Sequence, residues 1–434
     1  MPAGSNPNSN TIHTLFFHKL YIRPIPTTFD DMKNSNPQKH LWDSSKTKKE
    51  AIDFAAGWDI KHKPKYEDLL IPYQIKLDKA YSVELLGQGY INKRQFNAIQ
   101  DGLSNLQYKE DRLSVEGYED VHSFVESRLR EQHGKLVGNL HLGLSRNDMI
   151  CTIMRMLMKN EAENAESGIC TFISVLNSEI SEKGKLIIPG YTHHRVAMPS
   201  TYGLLLDSYT ERLARVKKDL TIWKSKYNKC PLGSAAGFGS PLEMNWDRVA
   251  LELGFDSPIG NSLDAVSTRW EAEADLAFSL SMLLNHLSTI SQDFIFMSSA
   301  GINVLELPQE YCTGSSIMPQ KRNPDVLEAI KAKAAIVHGI TFSIMEIGKN
   351  ISGYNRDTQW TKYLIMDAIA EYEGTTEILR ELIKGTKVNE KRSKKLLKQE
   401  NAFSAEEAMK KAMVEKKGFR DIKLSIEKEI KRKR

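Results

Sequence analysis

Residues 205–227 read LLDSYTERLARVKKDLTIWKSKY, and their apolar members Leu205, Tyr209, Leu213, Val216, Leu220, Trp223 and Tyr227 step by 4, 4, 3, 4, 3 and 4. Residues three and four apart share a helix face, so this spacing predicts a long α-helix packed along one side. The same signature recurs around it. Ile150, Ile153 and Leu157 begin a stripe that continues through Ile169, Phe172, Ile173, Leu176 and Ile180. Another runs from Leu276 through Leu280, Leu283, Leu287, Ile290 and Phe294 to Met297. Leu327, Ile330, Ala334, Val337, Ile340 and Ile344 make a fourth, and a fifth is expected between about 359 and 384. Five such helices at 1.5 Å rise per residue would form a rod of roughly 40–50 Å. The expected fold is therefore all-α, an elongated central bundle of about five long helices flanked by smaller helical domains.

Working outward, residues 1–38 are irregular and rich in Asn, Pro, Thr and Ser, and are read as an N-terminal extension. Residues 39–144 suggest a domain of shorter helices, 145–384 the central bundle, and 385–434 a short, very basic C-terminal helical domain. Strand signals are scarce, with Leu186-Ile187-Ile188-Pro189 a brief exception. Several helices have more than one apolar face to cover, which makes self-association an expectation alongside packing within one chain.

Composition narrows the function classes. The 434 residues are 41% hydrophobic and 26% charged, ordinary for a soluble globular protein. The net charge of +5 is mild and spread out, which gives no case for nucleic acid and only a weak lean towards anionic substrates. Cys151, Cys170, Cys230 and Cys312 lie far apart, unlike a disulfide framework or a zinc site. No run of 18 apolar residues predicts a transmembrane helix, and the N-terminus has no clear signal-peptide core. A cytoplasmic enzyme is the default.

Chemistry concentrates where the helical pattern breaks. Gly314-Ser315-Ser316-Ile317-Met318-Pro319-Gln320-Lys321-Arg322-Asn323-Pro324 combines small residues, a hydroxyl pair, a cation and an amide just before a helix entry. Such a loop can carry a hydroxyl over a bound anion while Lys321 and Asn323 neutralise developing negative charge. Glu119-Asp120-Val121-His122 sits at a helix start, where a cap is the simpler reading. Ser145-Arg146-Asn147-Asp148 could cap the next helix, yet Arg146 beside Asn147 also suits a carboxylate. Gly190-Tyr191-Thr192-His193-His194 places a histidine between long helices, a candidate acid or base because its pKa is near neutral. Gly353-Tyr354-Asn355-Arg356-Asp357-Thr358-Gln359 interrupts two helices with a dense set of hydrogen-bonding side chains.

Taken together, in this order and spacing, these segments resemble argininosuccinate lyase within the fumarase/aspartase superfamily. The resemblance extends from roughly Leu41 to Arg420. It is dense in Asn261-Ser262-Leu263-Asp264-Ala265-Val266-Ser267, in Pro231-Leu232-Gly233-Ser234 and in 314–328. Ser145 to Asp148 and Tyr354 to Gln359 favour this member over fumarase, aspartase or adenylosuccinate lyase.

The resemblance implies cleavage of argininosuccinate to arginine and fumarate, in arginine biosynthesis, with no metal or organic cofactor. Ser315 would abstract the proton, helped by Lys321, and His193 paired with Glu328 would help protonate the leaving guanidino nitrogen. The assignment of acid and base between Ser315 and His193 stays open. Asn323 with Lys321 would hold the succinyl carboxylate as it gains charge, and Arg146, Asn147 and Thr192 would bind carboxylates. Tyr354, Gln359 and Lys362 would bind the arginine half, and Asp120 with His122 would line the site. The family assembles as a homotetramer in which three subunits build each site.

The sequence departs from the family pattern at several points. Leu142, Leu144 and Met149 stand where the family has a hydroxyl, a cation and an amide. Arg195 and Met198 replace two glutamines, Lys63 stands at a substrate-contacting serine, Asp43-Ser44 replaces glycines, and the C-terminal domain is short. Two rivals therefore remain at this level. One is a related lyase releasing fumarate from another amino-succinyl compound; the other is a non-catalytic helical scaffold.

Overall fold

The computed structural model describes residues 63–109 and 113–433, all within the unit His40–Arg434. The segment 1–38, Asp43-Ser44 and the side chain of Lys63 lie outside the described residues. A short helix, Lys63–Asp68, leads into α1 (Ile71–Gly87), α2 (Lys93–Gln107) and α3 (Val121–His133). Then come α4 (Arg146–Lys183), a hairpin of β1 (Ile187–Thr192) and β2 (Arg195–Thr201), and α5 (Tyr202–Tyr227). After shorter pieces follow α6 (Arg269–Ser298), α7 (Asp325–Ile347), α8 (Thr361–Tyr372) and α9 (Thr375–Gly385). After a ten-residue helix, Glu390–Gln399, α10 (Ser404–Glu415) and α11 (Phe419–Lys433) pack on each other through Ala408, Ile422 and Ile426.

The apolar stripes are the packed faces. On α5, Leu206, Tyr209, Leu213, Val216, Leu220, Trp223 and Tyr227 are buried, so the seam holds except that Leu206 rather than Leu205 lies fully inside. α4 joins two stripes into one 38-residue helix, about 57 Å long. It starts with a capping box, Ser145 accepting from a backbone N–H of the first turn and Asp148 accepting from Ser145. The expected fifth helix is instead two, α8 and α9, because Gly374 adopts a left-handed φ of 72° that a continuing helix cannot contain.

The other difference from the sequence reading is at 187–201. The apolar run is half of an antiparallel hairpin rather than a strand followed by a loop. Thr192 pairs with Arg195, so His193 and His194 are its two turn residues, with φ of 52° and 57°. Two-residue hairpins favour turns with φ positive at both positions because their twist matches the strands. Asn and Gly are the usual signals for that geometry, which is why a His-His turn is illegible in sequence. Holding non-glycine residues there costs about 1–2 kcal/mol each.

Candidate active site

Three segments far apart in sequence meet in one cleft of about 400 Å³, lined by Glu119, Asp120, His122, Arg146, Asn147, Ile150, Tyr354, Arg356, Gln359 and Lys362. Asp120 and Arg146 are there because they stand at helix starts. Asp120 is the N-cap of α3, accepting from the Ser123 amide at 2.8 Å, and Arg146 is the first residue of α4. The cap and the site are thus the same residues, and neither reading excludes the other.

Arg146 ties the two helix starts together. Its Nη1 donates to Glu119 at 2.7 Å, its Nη2 to Ser123 Oγ at 2.5 Å, and its Nε lies 3.2 Å from Asp120. All three guanidinium nitrogens are engaged, so a substrate carboxylate would compete with Glu119 for them. Arg356 approaches the same Glu119 carboxylate at 3.9 Å. Glu119 and Arg356 were not among the expected site residues. Their signal was adjacency, since each lies inside a motif already singled out. Tyr354 donates its hydroxyl to Gln359 at 3.1 Å, fixing both side chains at the rim.

Lys362 reaches the cleft from a buried position. It is 1% exposed, bonded to the equally buried Glu67, with its ammonium 4.6 Å from the Tyr363 ring centre. Burial alone would discharge the ammonium, but Glu67 beside it more than offsets that and raises the pKa.

Behind the cleft lies a polar chain. His122 Nδ1 is 2.6 Å from Gln74 Oε1, and Gln74 Nε2 donates to Asp78 Oδ1 at 2.8 Å. Asp78 in turn holds His141 Nε2 at 2.9 Å, while His141 Nδ1 lies 3.4 Å from Glu126. The two histidines titrate in opposite directions. Burial pushes His122 down to about 3 and keeps it neutral. Burial would do the same to His141, but its two carboxylates raise it to about 10. His141 therefore contributes stability that is complete below pH 6.5 and is lost as pH rises through about 10. His122 contributes stability present above 6.5 and lost as pH falls towards 3. The urea midpoint of the protein should fall between pH 7 and 10. In His141→Gln it should be lower throughout, by roughly 3–5 kcal/mol at pH 7, and flatter over that window, because buried Asp78 loses its counter-charge, while the part-buried Glu126 keeps Arg130 at 2.8 Å.

Asp148 explains why Pro231-Leu232-Gly233-Ser234 belongs with the α4 start. Its fully buried Oδ2 accepts from the amides of Gly233 at 3.0 Å and Ala235 at 2.8 Å, clamping that turn to the helix. Burial still outweighs those amides and lifts its carboxyl to about 6. Gly233 needs its freedom here, with φ of 95° and Trp246 where a Cβ would sit.

The remaining expected residues do not line this cleft. Thr192 and His193 are exposed at the hairpin, which borders a separate pocket of about 450 Å³ against α5 and α6. Ser315, Lys321 and Asn323 belong to a solvent-facing loop, and Glu328 is exposed on the first turns of α7. The loop is pinned at its root by paired backbone bonds between Thr313 and Asn323, at 3.0 and 2.8 Å. Asn323 Nδ2 also donates to the Gly314 carbonyl at 3.2 Å. Ser315 Oγ accepts from the amides of Met318 at 3.1 Å and Ile317 at 3.4 Å. Those donors favour negative charge on the oxygen, which is what an abstracting serine requires. One chain thus presents three separate pieces: a cleft, a histidine turn and a serine loop.

A sequence family described as lyase matches residues 58–339. An argininosuccinate lyase of Halorhodospira halophila is 33% identical over 73% of this chain and 69% of its own length. One from Parabacteroides distasonis is 33% identical over 74% and 73%. The chain belongs to the argininosuccinate lyase family. The fold agrees. A solved EDDS lyase in complex with formate superposes with a TM-score of 0.72 at 22% identity, covering 87% of this chain and 75% of that one. The class II fumarase of Schistosoma mansoni gives 0.72 at 17% identity, covering 87% and 91%.

Membership makes this lyase an enzyme acting on a small molecule. No described helix is long and apolar enough to cross a membrane. Of the positions where the sequence departs from the family pattern, Leu142, Leu144, Met149, Arg195 and Met198 do not line the cleft. Met149 is core, 3% exposed, and the Leu142 carbonyl accepts from Tyr81 at 2.5 Å.

Proposed function

We propose that the protein is an argininosuccinate lyase that releases arginine and fumarate, working in the cytoplasm in arginine biosynthesis. The observation that carries this is the convergence of 119–122, 146–147 and 354–362 on one cleft bearing both charge signs. A substrate with two carboxylates on its succinyl end, a guanidinium bonded to that end and an amino-acid head at the other needs such a lining. Ser315, its charge supported by two amides and Lys321, takes the proton from the succinyl carbon. The electrons of that C–H bond form the C=C bond as the C–N bond breaks, and its electron pair leaves on the guanidino nitrogen. His193, oriented by Glu328, delivers the proton that nitrogen needs. Lys321 and Asn323 hold the carboxylate that gains charge, Arg146, Asn147 and Thr192 hold carboxylates, and Tyr354, Gln359 and Lys362 position the arginine half with Asp120 and His122. Leu142, Leu144 and Met149 lie outside this cleft, which favours argininosuccinate over another amino-succinyl compound, while Arg195 and Met198 lie on the strand beside His193.

A homotetramer would bring the three pieces together. Supporting this, Phe278 on α6 and Ile336, Phe342 and Met345 on α7 are 48–65% exposed, large apolar side chains on central helices. Co-expression of Arg146→Gln with Ser315→Ala tests the shared site. Each variant alone should be inactive, and the mixture should regain measurable fumarate release, followed by ultraviolet absorbance. An active monomer, or no regain from a mixed tetramer, would overturn the shared site; a wild type that releases no fumarate would overturn the activity.

A further inference from the structure

His122 is 3% exposed and lines the cleft, yet its Nε2 has no hydrogen-bond partner among the described residues. A buried polar atom without a partner costs about 1–3 kcal/mol, so its presence in a cleft wall points to a ligand. The network behind it decides what kind of ligand. Asp78 is buried and accepts from His141, a histidine whose two ring nitrogens both face carboxylates. Gln74 must therefore turn its NH₂ group towards Asp78, because an amide oxygen there would face a carboxylate oxygen at 2.8 Å. That leaves Gln74 Oε1 facing His122, and an amide oxygen can only accept. Nδ1 of His122 must then carry the proton, and in a neutral ring Nε2 is a bare lone pair.

Resting on the lyase reading above, we propose that Gln74 is a positioning residue that locks His122 in its Nδ1–H tautomer, so that Nε2 accepts an N–H from the guanidinium half of the substrate. The chemistry selects against the carboxylates of that substrate. A carboxylate has only lone pairs to offer and would repel Nε2, whereas a guanidinium offers N–H donors and no acceptor. The burial that keeps the ring uncharged supports the same assignment, since a protonated ring would donate instead. His141 plays no direct part at the ligand; it sets the orientation of Gln74 through Asp78.

The test uses the full-length protein labelled with ¹⁵N-histidine, with arginine as the probe. In the ligand-free wild type, His122 should show an unprotonated Nε2 and a protonated Nδ1, and arginine should shift the Nε2 resonance in the direction of hydrogen-bond acceptance. Gln74→Met, of similar volume but without the acceptor, should let the ring change tautomer, raise the Kd for arginine tenfold to a hundredfold and raise KM for argininosuccinate with kcat little changed. A protonated Nε2 in the wild type, or an Nε2 resonance indifferent to bound arginine, would overturn the proposal. So would unchanged arginine affinity in folded Gln74→Met. If that variant does not fold, the wild-type spectra alone decide. Absence of fumarate release by the wild type would instead count against the lyase reading, because the tautomer is read without turnover.

Discussion

Ser315→Ala should lower fumarate release from argininosuccinate by at least about 10³-fold while leaving the fold and arginine binding intact. Removing a positioned base typically costs 10²–10⁴-fold, and here no neighbouring hydroxyl has the same support. Ser315 Oγ accepts from two backbone amides, while Ser316 has no such donors among the described residues. The loop's root bonds are made by Thr313, Gly314 and Asn323, so deleting one hydroxyl near the tip leaves them in place. Circular dichroism and the urea midpoint should therefore match the wild type. Ser315→Cys would separate the need for a proton acceptor from the need for this particular oxygen. An Ala variant retaining a tenth or more of wild-type turnover would remove Ser315 from the chemistry and shift attention to His193.

Glu67→Ala should destabilise the protein by roughly 3–5 kcal/mol, because it leaves the Lys362 ammonium buried without its carboxylate partner. Both partners are 1% exposed, so water cannot replace the lost carboxylate without opening the helix packing. Glu67 also accepts from the Val121 amide at 3.2 Å, one of the donors at the start of α3, so the loss reaches the cleft wall. The raised pKa of Lys362 gives the sign with pH: its contribution is complete below the ordinary lysine value and fades only above it. At pH 7 the defect should be at full size. The double variant Glu67→Leu with Lys362→Met should recover much of the stability, since a buried ion pair replaced by apolar groups is often neutral. It should not recover activity if Lys362 holds the arginine half. Urea midpoints at constant m-value for the three proteins check the first point, and turnover checks the second. A Glu67→Ala midpoint within 0.5 kcal/mol of wild type would refute the burial argument.

What could be read from the chain alone was whatever depends on near neighbours in sequence. Stripes stepping by three and four report which face of a helix is apolar, and that face is buried in α4, α5, α6 and α7. Ser145 to Asp148 and Glu119 to His122 were legible as helix starts because capping uses residues within one turn. The serine loop was legible as a loop for the same reason. The hairpin at 187–201 was not, since its turn uses two histidines in the left-handed region, where composition gives no warning.

The tertiary structure alone decided which of these local features meet. Glu67 and Lys362 are 295 residues apart, and Asp78 and His141 are 63 apart. No periodicity encodes such pairings, because they depend on which helix faces pack together rather than on the order of residues along one helix. The same packing made Lys362 a buried cation, gave His141 and His122 opposite charge states, and occupied Arg146 with Glu119. It also set His193 and Ser315 apart from the cleft within one chain. Side-chain chemistry is written locally, but whether a group is charged, neutral or in reach of another is fixed by burial and by partners brought from elsewhere in the fold.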